Sequence, residues 1–117
     1  MTELIACLST GKGTWAHVSS LIEKADWRRV FLVTNEFGLR FDLKGKGGFV
    51  VTDFDKGIDS VVSDIVKQLD GKLKGLEVAL NLASGTGKEH MAIISALMKL
   101  GVGFRLVVLT KEGIKEI

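Results

Sequence analysis

Two apolar runs in the last third of the chain, separated by a glycine-rich turn and a third apolar segment, constrain the fold most strongly. The runs span residues 76–82 and 104–109, and the turn at 84–88 and the apolar segment at 91–100 lie between them. Short continuous apolar runs are typical of strands buried on both faces of a parallel sheet, whereas the longer segment favours a buried helix. We therefore predict a strand, a turn, a helix and a second strand.

The rest of the chain repeats this alternation. Further strands are predicted at 4–8, 30–34 and 49–52, and helices at 14–24 and 58–69. Alternation of this kind is typical of a mostly parallel sheet with helices on both faces, joined by right-handed crossovers. With 117 residues and no linker or repeat, the chain is predicted to be one domain over 1–117.

Residues 35–48 admit two interpretations. Leu39, Phe41 and Leu43 alternate with polar residues, which favours a strand that forms a hairpin through the glycine-rich stretch after it. Residues 36–43 equally suit a short crossover helix. The sequence pattern leaves both interpretations open.

Composition excludes several classes of protein. The net charge of +2 is too small for a protein that coats duplex nucleic acid, and no apolar run is long enough to span a membrane. The single Cys7 cannot form an internal disulfide, and two distant histidines give no metal-ligand spacing, so we predict neither metal nor cofactor. No signal peptide is recognised, which predicts a cytoplasmic protein. The scarcity of amide side chains is typical of thermophiles.

Two glycine-rich turns share a position and a composition: residues 9–13 follow the first strand, and residues 84–88 follow the fourth. Because the carboxyl ends of parallel strands meet at one edge, we expect the turns to converge there. Glycine amides and helix N-termini favour phosphate, although the same residues also make good turns and caps. The candidate ligand-binding residues in the two turns are Ser9, Thr10, Gly11, Lys12, Ser84, Gly85, Thr86, Gly87 and Lys88.

Neither turn is a Walker A motif. Leu82 stands where that motif needs its first glycine, and Glu89 stands where it needs a serine or threonine. A dinucleotide-binding fingerprint is absent as well. These absences argue against a P-loop ATPase and against a dehydrogenase.

Four polar residues lie close to the same edge. Asn35 suits recognition of a base edge or a ribose hydroxyl, and it equally suits a helix cap. His90 is predicted to support the turn or to orient a ligand, and His17 to be an exposed helix residue rather than a catalytic one. Asp55 is predicted to cap the helix that follows it.

The apolar segment at 91–100 also predicts an assembly. Only Ser95 and Lys99 interrupt it, so the helix is apolar almost all round. Such a helix lies deep in a core or is covered by a second subunit. Because a small domain has little room to cover a helix fully, we expect a homodimer, most simply with twofold symmetry.

Residues 80–92, which read Leu-Asn-Leu-Ala-Ser-Gly-Thr-Gly-Lys-Glu-His-Met-Ala, resemble the signature of CARF domains, the Rossmann-like sensors of CRISPR antiviral defence. The shared features are an asparagine, a small-residue turn with threonine, a lysine, and a helix entered with methionine and alanine. The likeness continues through Ser95-Ala96-Leu97, and the early turn Ser9-Thr10-Gly11 looks similar too. The middle of the chain is compatible with a CARF domain but carries no part of the signature.

The resemblance implies a Rossmann-like three-layer sandwich with a mostly parallel sheet of about five to six strands. It also implies a homodimer with cyclic oligoadenylate bound across the twofold axis. Most CARF proteins carry an effector domain after the sensor, whereas this chain ends at its last predicted strand. We therefore expect no effector in cis, although a fragment of a longer protein would end in the same way. The residues of both chains that would hold phosphates and riboses are Ser9, Thr10, Gly85, Thr86 and Lys88.

A stand-alone domain of this type suits a ring nuclease that cleaves its messenger without metal. The ribose 2′-OH attacks the adjacent phosphate, and Lys88 with Ser9 or Thr10 stabilises the developing charge. The sequence offers no general base for that step. Two other functions remain open: a non-catalytic regulatory or interaction subunit that docks a partner through its apolar helix, and a small phosphate-ester enzyme.

Overall fold

The computed structural model describes residues 2–9 and 12–117, with only the backbone described for Lys12. In this part of the chain there are six strands, three α-helices and two short 3-10 helices. The strands are β1 (Leu4–Leu8), β2 (Val30–Thr34), β3 (Gly47–Val51), β4 (Glu77–Asn81), β5 (Gly103–Thr110) and β6 (Gly113–Glu116). The α-helices are α1 (Trp15–Lys24), α2 (Ile58–Leu69) and α3 (Gly87–Lys99), and the 3-10 helices are Lys12–Thr14 and Glu36–Arg40.

The strands form one sheet in the order β3-β2-β1-β4-β5-β6. Pairing is parallel from β3 through to β5, and only β6 is antiparallel to its neighbour β5. The prediction of an α/β protein with a mostly parallel sheet is therefore confirmed. The direction of strand order reverses between β1 and β4, since the chain builds outward from β1 to β3 on one side and from β4 to β6 on the other.

The buried strands divide their side chains between two hydrophobic clusters. Ile5 and Cys7 of β1 lie in the cluster that contains the inner faces of α2 and α3. Leu4, Ala6 and Leu8 lie in the cluster that contains the buried face of α1. Because successive side chains of a strand point to opposite faces, β1 is apolar at every position, as its continuous run predicted.

Helix α2 keeps the bounds that its periodicity predicted, and it buries Val61, Val62, Ile65 and Leu69. Its N-cap is Gly57, however, so the prediction that Asp55 caps this helix is wrong. Asp55 instead donates its backbone N–H to Asp53 Oδ1 at 3.0 Å, which closes a local turn before the helix. No α-helix in the described ranges is long and apolar enough to cross a membrane.

The segment between β2 and β3 follows neither interpretation fully. Residues Glu36–Arg40 form a short 3-10 helix, so the hairpin interpretation is wrong and the short-helix interpretation is closer. Strand β3 then starts at Gly47 and runs parallel to β2. A Cβ added at Gly47 would lie 1.7 Å from Val30 O, so the backbones can approach this closely only because the residue is glycine.

Candidate functional site

The turns after β1 and β4 meet at the carboxyl edge of the sheet. Ser9 donates its backbone N–H to Ser84 Oγ at 3.2 Å, and both residues are buried. The two strands are direct neighbours, and the strand order reverses between them. In open α/β sheets such a reversal leaves a crevice at the carboxyl ends, where ligands bind. Thr10, Gly11 and the side chain of Lys12 belong to the same predicted site but lie outside the described residues.

Helix α1 is joined to the first turn by a side-chain contact. Trp15 Nε1 donates to Ser9 O at 2.9 Å. Helix α3 begins directly after the second turn, at Gly87. Two helices therefore begin beside the joined turns. The backbone N–H groups at the start of a helix have no carbonyl partner within that helix.

The second turn is held in shape by a capping box. Thr86 donates its backbone N–H to Glu89 Oε1 at 2.9 Å, and its hydroxyl accepts the N–H of Glu89 at 3.4 Å. The Thr86 amide and hydroxyl thus serve the helix cap, which is the alternative that the turn composition had left open. The Glu89 carboxylate is itself buried in this turn.

Lys88 binds two backbone carbonyls of another loop at this edge. Its ammonium donates to Phe54 O at 2.9 Å and to Lys56 O at 2.5 Å, both in the segment between β3 and α2. An ammonium group has three N–H donors, so one remains for a ligand. Lys88 therefore ties the start of α3 to the segment between β3 and α2, a role that the sequence pattern did not predict.

His90 supports the same turn from within the helix. Its Nε2 donates to Ser84 O at 2.8 Å, since a carbonyl oxygen can only accept. This contact places His90 in a turn-supporting position, one of the two roles that the sequence suggested.

Asn81, the last residue of β4, makes polar contacts with α1, β5 and the second turn, although it was not among the predicted ligand-binding residues. Its Nδ2 donates to Val107 O at 2.8 Å and lies 3.3 Å from His17 Nε2. Its Oδ1 accepts the N–H of Ala83 at 3.3 Å. Asn81 is fully buried, and a polar residue inside an otherwise apolar run is the signal that could have identified it.

The turn packs tightly over Cys7. A Cβ added at Gly85, whose φ is +107°, would lie 2.7 Å from Cys7 Sγ. Burial raises the pKa of the Cys7 thiol to about 12, and the charge of Glu89 acts in the same direction. Cys7 is therefore a neutral core thiol rather than a nucleophile.

Asn35 lies at a second cavity, farther along the same edge. This β2–β3 cavity has a volume of about 500 Å³ and is lined by Asn35, Glu36, Phe37, Asp53, Lys56 and Asp64 among others. Asn35 precedes the 3-10 helix, but its side chain makes no capping hydrogen bond. Its Oδ1 is buried and accepts no hydrogen bond from the described residues.

One carboxyl group of this cavity has a perturbed pKa. The Thr52 hydroxyl donates to Asp64 Oδ2 at 2.8 Å, and Lys56 Nζ lies 3.2 Å from the same oxygen. The Thr52 hydrogen bond, followed by that of Lys56, holds the pKa of Asp64 below its usual value. Asp64 is therefore ionised at neutral pH and paired with Lys56.

The chain matches no protein-family model and no curated protein sequence. The candidate site is therefore described from the structure of this chain alone. That geometry consists of two turns joined by the Ser9–Ser84 hydrogen bond, two helix N-termini beside them, and a polar cavity at the ends of β2 and β3.

Proposed function

We propose that this chain is a CARF-like domain that binds a cyclic oligonucleotide, cyclic oligoadenylate, at the interface of a homodimer. The observation that carries the proposal is the contact between the turns after β1 and β4, where the Ser9 amide binds Ser84 Oγ at 3.2 Å. Strand order reverses at this point, which is the ligand-binding position of open α/β sheets.

A Rossmann-like three-layer arrangement is part of the proposal. Alternate residues of β1 belong to two separate clusters, one shared with α2 and α3 and the other with α1. Helices on opposite faces of the sheet account for this division. They also place the N-termini of α1 and α3 on either side of the crevice.

Backbone amides supply the attraction for phosphate. The positive ends of α1 and α3 lie beside the joined turns, and anions are stabilised at such ends. The remaining N–H of Lys88 adds cationic charge. Because the Glu89 carboxylate is buried in the capping box, it fixes the turn without occupying the open side of the crevice.

The outer face of α3 supports a homodimer. Met91 and Met98 are 64% and 71% exposed, and with Ile94 and Lys99 they border a shallow cavity of about 500 Å³. Met91 lies one turn after Lys88, so a twofold axis near this end of the helix brings the two copies of the second turn together. A ring-shaped ligand with repeated phosphates suits such a symmetric site.

We expect Met98→Lys to convert the dimer to a monomer, because a charge placed in an apolar interface must be desolvated without a partner. Sedimentation equilibrium measures the mass directly. Leu76→Lys is the matched control, since Leu76 is 90% exposed and is not among the residues that border this cavity. A wild-type protein that sediments as a single chain would contradict the dimer.

Slow cleavage without metal is compatible with this site. The ribose 2′-oxygen attacks the adjacent phosphorus, the bond to the 5′-oxygen breaks, and the proton of the 2′-OH ends on that leaving oxygen. The products are a 2′,3′-cyclic phosphate and a 5′-hydroxyl. Lys88, with Ser9 or Thr10, stabilises the charge that develops on the phosphoryl oxygens.

The test is binding of cyclic tetra-adenylate and cyclic hexa-adenylate, measured by calorimetry, with chromatography of the same mixtures to detect cleavage. We expect Lys88→Ala to weaken binding by about tenfold or more, because a charge-assisted contact is lost in each subunit. Lys72→Ala, which removes an equal charge from the opposite edge of the sheet, should leave binding unchanged. A folded Lys88→Ala protein that binds like the wild type would contradict the assignment.

A regulatory or interaction subunit is the second candidate function. The exposed methionines of α3 favour it, since exposed apolar patches mark interaction sites. A dimer, or a complex with another protein, that binds neither cyclic adenylate would support this function over the first.

A further inference from the structure

The β2–β3 cavity lies on the same edge of the sheet as the joined turns but has a different chemical character. Its volume of about 500 Å³ is large enough for a nucleobase. Strands β2 and β3 end beneath it, and the first turn of the 3-10 helix with the segment before α2 forms its sides.

Asn35 gives the cavity an unused hydrogen-bond acceptor. Its Oδ1 is buried and has no donor among the described residues, although nearly all buried polar atoms in proteins are paired. The residue lines the cavity, so a ligand bound there lies next to the Asn35 side chain. An N–H or O–H group on a ligand would satisfy the unpaired oxygen.

The charges of the cavity exclude a phosphate. Three carboxylates line it, those of Glu36, Asp53 and Asp64, against the single ammonium of Lys56. Lys56 is already paired with Asp64 at 3.2 Å, so the remaining charge is negative. The described residues also include no group of three acidic, histidine or cysteine side chains placed to hold a metal ion. The cavity therefore suits an uncharged organic group that donates hydrogen bonds.

Aromatic contacts connect this cavity to the crevice. Phe37 lines the cavity, and its ring centroid lies 5.6 Å from that of Trp15 in an edge-on arrangement. Trp15 in turn donates to Ser9 O at 2.9 Å. A ligand that spans the two places would have its phosphates at the turns and a flat ring against the Phe37 side of the cavity.

We infer that the β2–β3 cavity is a base subsite that takes an amino-bearing nucleobase, whose exocyclic N–H donates to Asn35 Oδ1. The inference rests on the proposed function for the placement of the phosphates, and it adds the group that selects the base. Asn35 is then a specificity-determining residue, and the turns of Ser9 and Ser84 hold phosphate whatever the base.

The test is a titration of the ¹⁵N-labelled protein with adenosine and with inosine, in which a carbonyl replaces the amino group. We expect adenosine to shift the amide signals of Asn35, Thr52 and Asp53, and inosine to bind about tenfold more weakly because two acceptors then face each other. Asn35→Leu should remove the preference, whereas Asn35→Asp, which keeps an acceptor, should retain it.

Each outcome separates this inference from the proposed function. Equal binding of the two nucleosides, a preference for inosine, a preference that survives in Asn35→Leu, or no binding at the cavity overturns the base subsite. The proposed function survives any of these results if cyclic oligoadenylate binds in a Lys88-dependent way. Conversely, adenosine-selective shifts at the cavity without binding of the cyclic ligands support the subsite and reject the proposed function.

Discussion

Gly85→Ala is expected to lower the free energy of unfolding by roughly 3 kcal/mol, because two costs combine. The φ of Gly85 is +107°, a backbone conformation that residues with a side chain rarely adopt. The added Cβ would also lie 2.7 Å from Cys7 Sγ and 3.0 Å from Glu89 Oε1. Neither atom can yield easily, since Cys7 is fully buried and Glu89 is fixed by the capping box.

Gly87→Ala is the matched control for this prediction. Gly87 opens α3, and a Cβ added there meets no heavy atom within 4 Å. Alanine has the higher helix propensity, so we expect stability to rise by about 0.5 kcal/mol or to stay unchanged. Urea unfolding followed by circular dichroism measures both variants. Equal stabilities for the two would show that the turn is not packed as described.

The second large effect is expected for Asn81→Leu, which should lower the free energy of unfolding by roughly 3 kcal/mol. The leucine has nearly the same size but leaves Val107 O and the Ala83 amide without their partner. Buried polar groups that lose a partner cost more than the hydrogen bond itself contributed. Because Asn81 also contacts His17, we expect the histidine signals in NMR spectra to shift as well.

Asn35→Leu makes the same chemical change at a position where we expect little loss of stability. Asn35 Oδ1 has no hydrogen-bond partner in the described part of the chain, so its removal leaves no new unpaired group. We expect a change in stability within about 0.5 kcal/mol. If Asn35→Leu lowered the free energy of unfolding as much as Asn81→Leu, the loss at Asn81 could not be attributed to its hydrogen bonds.

The strands and helices that the sequence predicted well are those in which the spacing of apolar residues agrees with their burial. The run at 4–8 is buried at every position of β1, and four of the spaced apolar residues at 58–69 form the buried face of α2, whereas Ile58 at its start is exposed. Residues 35–48 could not be predicted, because the short 3-10 helix and the parallel β3 depend on contacts with β2. The close approach of Gly47 to Val30 is one such contact. Strand β6 was not predicted individually, since it is short and half exposed at the edge of the sheet.

Some features of the candidate site could also be predicted from the sequence, and others could not. Pattern alone indicated which edge of the sheet the turns at 9–13 and 84–88 would share, and the Ser9–Ser84 hydrogen bond shows that they touch. Pattern did not indicate that Lys88 binds the carbonyls of Phe54 and Lys56, because those residues are distant in the chain. The binding of a ligand at this edge remains a prediction.

By itself the sequence determined the order of β1 to β5 and of the three α-helices, the mostly parallel character of the sheet and the place of the glycine-rich turns, because local periodicity and chain connectivity decide these features. Only the tertiary structure decided the partners of individual polar groups. The capping box assigned the Thr86 hydroxyl to the helix, the β3–α2 segment supplied two carbonyl partners for Lys88, and Asn35 kept an unpaired oxygen. Hydrogen bonds between distant residues depend on positions that only the packed chain defines, so spacing cannot predict them.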